Sequence, residues 1–171
     1  MILLILAYIA CIPLANFLIG HVGTVCIPQG PCLIPVAPGI MAPSGVLMIG
    51  AALLLRDLVQ RQKGVSWSLG CIGVGAALSF LIAPPAIALA SGAAFLFSEL
   101  VDFAAYTPLA RKRFYTALFV SCLAGAVADS AIFLWMAFGS LDHMAGQIIG
   151  KVYAVIAYAS LAPFVRKLAN A

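Results

Sequence analysis

The chain has 171 residues and a formal net charge of +4, with 65% hydrophobic and only 8% charged residues. An ordinary soluble domain has roughly 25% charged residues, so most of this surface is not suited to water. The length is expected to hold about six membrane spans with short loops, without an additional ATPase domain, and no phosphate-binding loop motif occurs.

Apolar segments predict an all-α integral membrane protein, a single domain that forms a bundle of six transmembrane helices. The first segment lacks the basic start of a cleaved signal peptide and is therefore expected to remain as a helix. The six predicted spans are 2–20, 44–60, 66–83, 85–106, 114–138 and 144–164.

The segment between the first two spans contains five prolines and no formally charged residue. Proline removes backbone donors and fixes φ, so this segment is predicted to be a stiff apolar loop that can lie over a cavity as a cap. Cys26 and Cys32 share this loop and could form a disulfide in an oxidising compartment. His21 has no second histidine or acid nearby, so no metal site is expected.

Basic residues lie at alternate ends of the predicted spans, and the remaining loops contain none. This pattern indicates membrane topology and not nucleic-acid binding, and it places both termini in the cytoplasm. The proline-rich loop then faces outward, where a disulfide between its cysteines is chemically reasonable. The basic clusters are Arg61 with Lys63, residues 111–113, and Arg166 with Lys167.

Five ionisable or amide side chains interrupt the apolar spans, and such groups are costly in lipid. Those in the first, fifth and sixth spans fall in the outer halves of their helices, and the acid of the fourth span is nearer mid-depth. They are predicted to converge on a substrate cavity beneath the outer loop. The group comprises Asn16, Glu99, Asp129, Gln147 and Lys151. Alternatively, Asp129 and Lys151 form an ion pair with a purely structural role.

A second set of charges lies closer to the cytoplasmic side. Asp102 follows Glu99 by three residues, so both carboxylates share one helical face. Asp102 is predicted to form an ion pair with Arg56 or Arg111, and this pair has either a structural or a gating role. Asp57 is open to the same two roles.

Several stretches resemble the VUT family of vitamin-uptake and queuosine-precursor transporters. They are Leu55-Arg-Asp-Leu-Val-Gln60, Ser98-Glu-Leu-Val-Asp102, Asp129-Ser-Ala-Ile-Phe-Leu-Trp-Met-Ala-Phe-Gly139 and Gly146-Gln-Ile-Ile-Gly-Lys151. The resemblance implies a relative of the substrate-binding subunits of energy-coupling-factor transporters, located in the bacterial inner membrane. It also implies uptake of a 7-deazaguanine such as 7-cyano-7-deazaguanine, without a cofactor.

A carboxylate can accept the two adjacent N–H donors of a guanine-like edge. Glu99 is the first candidate for this contact and Asp129 the second, while Asn16, Gln147 or Lys151 would contact the carbonyl oxygen. Alternatives are a binding subunit for another vitamin that needs an energising partner, and a structural subunit. An intramembrane enzyme using Glu99, Asp102 and Asp129 as acid and base is a further alternative, although a non-enzyme is expected. The oligomeric state is left open.

Overall fold

The computed structural model describes residues 2–28, 30–110 and 114–169. Six α-helices lie in these ranges, close to the predicted apolar segments. Their bounds are α1 Ile2–His21, α2 Val46–Lys63, α3 Val65–Ser79, α4 Pro85–Ala110, α5 Phe114–Phe138 and α6 Met144–Ala169. The third helix ends four residues before its predicted limit, because residues 80–83 form turns.

The proline-rich segment is not an irregular loop, so the expectation of an all-α protein is wrong at this point. It forms an antiparallel sheet of three strands, β1 Val25–Cys26, β2 Cys32–Ala37 and β3 Ile40–Pro43, in the order β1-β2-β3. Pro38 and Gly39 form the turn between β2 and β3, and Gly39 has a φ of 73°. A turn with proline first and a positive φ second suits this pair.

The prolines are tolerated because of their positions in the sheet. Pro35 lies at an irregularity in the register between β2 and β3, where the ladder needs no N–H, and Pro43 is the last residue of β3. Proline in sheets is confined to such bulges, edges and strand ends. The β-branched residues of β2 then supply the strand preference that the prolines obscure in the sequence.

The sheet covers one end of the helix bundle as a cap. Leu33 of β2 and Ala42 of β3 are buried. The α6 helix approaches β3 so closely that a Cβ on Gly146 would lie 2.7 Å from the Met41 carbonyl carbon. Gly23 makes a similarly close approach to the backbone of Leu33. Glycine therefore allows the backbone of the cap to rest directly on its neighbours.

A disulfide joins Cys26 to Cys32 and ties β1 to the start of β2. By loop-closure entropy such a short ring stabilises the cap by about 2 kcal/mol. We expect reduction to loosen β1 locally, with faster hydrogen exchange at the Thr24 amide, which donates to the Leu33 carbonyl at 2.7 Å. Amides in the middle of α5 provide the internal control. Equal exchange at Thr24 before and after reduction would contradict this role for the disulfide.

Small residues also set the distances between helices. The backbones of α2 and α6 approach at Gly50, where an added Cβ would overlap the Ala154 methyl group, and α1 meets α3 at Gly75, which packs on Ile12. The α4 and α5 helices pack against one another along much of their lengths. Close packing through small residues is typical of helices that associate in lipid.

Among the described residues, one helix, Ile2–His21, is long and apolar enough to cross a membrane by length and composition. Three shorter apolar helical stretches accompany it, Val65–Ser79, Pro85–Val101 and Leu123–Phe138. The surface of these helices is apolar as well, with large exposed side chains that include Leu3, Trp67, Leu89, Leu100 and Trp135.

Candidate functional site

A small cavity lies within the helix bundle, on the side covered by the sheet. Its wall combines polar, aromatic and aliphatic side chains from five helices. The polar groups are Ser91, Asp129 and Gln147, the aromatic rings are Phe95 and Phe133, and the aliphatic contacts are Ile19 and Ile49. The sequence predicts that Asp129 and Gln147 lie at such a cavity.

Asp129 is held on one side of the cavity by the cation of α6. The Lys151 ammonium forms an ion pair with the Asp129 carboxylate and donates a second hydrogen bond, of 2.7 Å, to Ser130 Oγ. Lys151 is only 2% exposed, and a lone buried charge of this kind would be unstable. The pair therefore supplies a polar but electrically neutral wall.

Asn16 lies behind Ser91, at the contact between α1 and α4. The Ser91 hydroxyl donates to Asn16 Oδ1 at 2.6 Å, which leaves the two N–H bonds of the Asn16 amide to be satisfied. Asn16 Nδ2 is buried and has no hydrogen-bond partner among the described residues, and the same holds for Gln147 Oε1. Leaving such a group buried without a hydrogen bond costs about 1–3 kcal/mol. Asn16 can therefore donate a hydrogen bond to a polar ligand, and Gln147 can accept one.

The cavity has a volume of about 10 Å³, roughly enough for a single water molecule. A ligand with a two-ring system cannot fit this space, so the helices around it must separate before such a ligand binds. The wall of the cavity offers the Gln147 acceptor, the Ser91 hydroxyl, a carboxylate and two aromatic faces, and Asn16 lies behind Ser91.

Glu99 does not join this cavity, contrary to the expectation that it converges there with Asn16 and Asp129. It follows Ser91 by eight residues on α4, which places it about 12 Å further along the helix. There its carboxylate pairs with Arg56 Nη1 at 2.7 Å. Arg56 is 6% exposed, and α2 continues beyond it for almost two turns to Lys63. This charge therefore lies inside the bundle and not at its surface.

The other two charges of the predicted gating set cannot be placed in the same way. Asp57 lies on α2 and Asp102 on α4, but their side chains fall outside the described residues, as does Arg111 entirely. Their pairings remain predictions. The described acids of the enzyme alternative, Glu99 and Asp129, are separated and each paired with a cation, so they do not form one acid and base site.

The sequence did not indicate the hydroxyl groups that lie beside Asn16, beside the Asp129–Lys151 pair and beside the Arg56–Glu99 pair. Ser91 donates a hydrogen bond to Asn16 of α1, and Ser130 accepts one from Lys151 of α6. Each serine therefore binds a buried amide or charge on a neighbouring helix. Tyr8 and Ser68, near Arg56 and Glu99, are fully buried. Serine and tyrosine are common in apolar helices for other reasons, so the sequence alone gave little reason to select them.

Comparison with known protein families identifies a match that covers most of the chain. The profile of the Vut_1 family, described as "Putative vitamin uptake transporter", matches residues 44–167. That range covers α2 to α5 and all but the last two residues of α6. It holds Asp129, Gln147 and Lys151 together with the Arg56–Glu99 pair. No curated protein and no solved structure matches the chain at a significant level.

Proposed function

The chain belongs to the family of vitamin uptake transporters, and on that premise we propose that it imports a queuosine precursor across the bacterial inner membrane. The proposed substrate is a 7-deazaguanine such as 7-cyano-7-deazaguanine. The observation that carries the proposal is the cavity below the cap, which Gln147 lines and behind whose Ser91 the Asn16 amide lies. Each of these two amides has one unsatisfied atom among the described residues.

We propose a topology of six transmembrane helices with both termini in the cytoplasm. The α4 helix of 26 residues and the α5 helix of 25 residues are each about 37–39 Å long. Both exceed the hydrocarbon thickness of about 30 Å. The exposed side chains on the outside of the bundle are largely apolar, and the alternation of basic clusters supports the orientation. The cap then faces outward.

The cavity offers groups that complement one edge of a 7-deazaguanine. This edge presents a ring N–H beside an amine on one side and a carbonyl oxygen on the other. We assign the ring N–H or the amine to Gln147 Oε1. We assign the carbonyl oxygen to Asn16 Nδ2, which the ligand reaches once the cavity widens beyond Ser91. Phe95 and Phe133 line the same space, and they provide aromatic faces for the flat ring once the cavity widens.

Asp129 is the second acceptor available to the amine. Its carboxylate already binds Lys151, but a carboxylate has about four lone-pair sites and can accept further hydrogen bonds. Lys151 therefore acts as a positioning residue, which holds the carboxylate at the wall of the cavity without contacting the ligand.

We expect the purified protein to bind 7-cyano-7-deazaguanine in preference to guanine, riboflavin and biotin. In Gln147→Met, which keeps the length of the side chain but removes the amide, affinity should fall by about 5–30-fold, the equivalent of one or two hydrogen bonds. Isothermal titration calorimetry in detergent measures both effects. Thermal stability should be unchanged or higher, because the substitution removes a buried, unsatisfied oxygen.

A merely structural Gln147 would give the opposite pair of results, a less stable protein with unchanged affinity. Selective binding of riboflavin or biotin would assign the cavity to another vitamin, the alternative that the family description favours. Copurification with an energising module would identify the chain as the binding subunit of a larger transporter. Uptake by vesicles containing this chain alone would instead show that it transports without such a partner.

A further inference from the structure

A second polar cluster lies inside the bundle, away from the cavity, and each of its four members comes from a different helix. Arg56 of α2 and Glu99 of α4 form the ion pair, with side chains that are only 8% and 12% exposed. Tyr8 of α1 and Ser68 of α3 are both 0% exposed. Tyr8 lies close to Ser68 and to both charges. We call these four residues the inner cluster.

Three helices place the inner cluster at a similar distance from the cavity. Glu99 follows Ser91 by eight residues on α4, and Tyr8 precedes Asn16 by eight residues on α1, which corresponds to about 12 Å in each case. Arg56 follows Ile49 by seven residues on α2, or about 10 Å. The inner cluster is therefore a separate layer, on the side of the cavity that is opposite the cap.

One aromatic ring connects the two layers. Phe95 lines the cavity and precedes Glu99 by one helical turn on α4. It is 1% exposed and belongs to the same core cluster as Tyr8 and Ile49. Among the described residues, Phe95 and then the inner cluster therefore follow the cavity along α4 in the direction away from the cap.

The hydroxyl groups beside the two ion pairs differ in their hydrogen bonding. Lys151 has both Asp129 and Ser130 as partners. In the inner cluster, the hydroxyls of Tyr8 and Ser68 are buried without a well-formed hydrogen bond among the described residues. Hydration of these hydroxyls would recover part of the cost of separating Arg56 from Glu99. The inner cluster therefore contains buried hydroxyls that gain hydrogen bonds when water enters.

We infer that the inner cluster is the cytoplasmic gate of the transport path: the Arg56–Glu99 pair, beneath Phe95, keeps the cavity closed to the cytoplasm and separates when substrate is released. This inference rests on the proposed transport function. It assigns Glu99 to the control of access and not to the binding of the ligand in the cavity.

The test measures access from the cytoplasmic side without using any substrate. Ser68→Cys places a nearly isosteric thiol within the inner cluster, in a chain whose Cys11, Cys71 and Cys122 are replaced by alanine. A cationic methanethiosulfonate is applied to inverted membrane vesicles, and the rate of thiol modification is followed. With Arg56 and Glu99 intact, modification should be slow. Glu99→Gln or Arg56→Gln should accelerate it by about tenfold or more, as the equilibrium shifts to the open state.

Two matched variants separate a gate from general damage to the fold. The charge-swapped double variant Arg56→Glu with Glu99→Arg should return the modification rate toward that of the parent. A thiol at Ser79, a buried serine near the other end of the same helix, should react at the same slow rate with and without the Glu99→Gln change. Equal acceleration at both positions would indicate loosening of the whole protein and would overturn the inference, as would unchanged reactivity at position 68.

Ligand binding provides the second measurement. Glu99→Gln should bind 7-cyano-7-deazaguanine with an affinity close to that of the wild-type protein, while uptake into vesicles is lost. Loss of affinity with unchanged thiol access would place Glu99 in the binding site and overturn its role as a gate. If the wild-type protein binds no 7-deazaguanine, the proposed substrate is wrong, and the thiol experiment still decides whether the gate exists.

Discussion

Replacement of Lys151 with methionine should lower the free energy of unfolding by about 3–5 kcal/mol, because it leaves the Asp129 carboxylate buried and unpaired. The lysine is 2% exposed, and its ammonium is shared between Asp129 and Ser130. Little water can reach the carboxylate to replace the lost partner. Thermal or denaturant unfolding in a single detergent, compared with that of the wild-type protein, measures the effect.

The double variant Asp129→Asn with Lys151→Met separates the cost of an unpaired charge from the value of the pair. Replacing both charges of a buried pair is often close to neutral for stability, so most of the loss in Lys151→Met should be recovered. Binding of the ligand should remain impaired, because the carboxylate at the cavity wall is gone. A double variant as unstable as Lys151→Met would mean that the pair stabilises the fold through contacts other than charge compensation.

Substitution of Gly146 by alanine should be the most disruptive change of a glycine to alanine at the contact between α6 and the cap. The new Cβ would lie 2.7 Å from the Met41 carbonyl carbon and closer still to its oxygen. Both are backbone atoms of β3 that cannot rotate away as a side chain does. Overpacking of this kind costs about 1–3 kcal/mol and occasionally more. We expect a lower melting temperature and faster hydrogen exchange in β3, where the cap would be lifted from α6.

Gly73 of α3 provides the matched control for this substitution. An added Cβ there has no atom within 4 Å, and alanine is favoured over glycine in a helix interior by about 1 kcal/mol. Gly73→Ala should therefore leave stability unchanged or raise it, the opposite sign from Gly146→Ala. If both substitutions shift the melting temperature equally, the contact between α6 and β3 does not depend on the absence of a side chain.

The sequence was most informative where the apolar runs are long. The α6 helix begins at the predicted residue, Met144, because a polar turn precedes it. The cap was harder to foresee. Its five prolines argue against any regular structure, and their tolerance depends on the register of β2 with β3, a long-range property that local sequence does not contain.

The candidate site shows the same division between local and long-range information. Asn16, Asp129, Gln147 and Lys151 could be grouped from their depth in the predicted spans, because a polar group in an apolar helix must find a partner inside the bundle. Depth alone could not separate Glu99 from this group. Its position near the middle of a long helix suits either layer, and the choice depends on how far α2 carries Arg56 into the bundle.

Each of the two buried ion pairs sums to zero charge, and this neutrality affects how the membrane voltage acts on transport. An elementary charge that crosses the membrane gains or loses about 2.3 kcal/mol per 100 mV. If the cavity wall carries no net charge and its ligand is neutral, moving that ligand inward displaces no net charge. Uptake would then respond to the concentration of the ligand, or to a partner that supplies energy, and not to the electrical potential across the membrane.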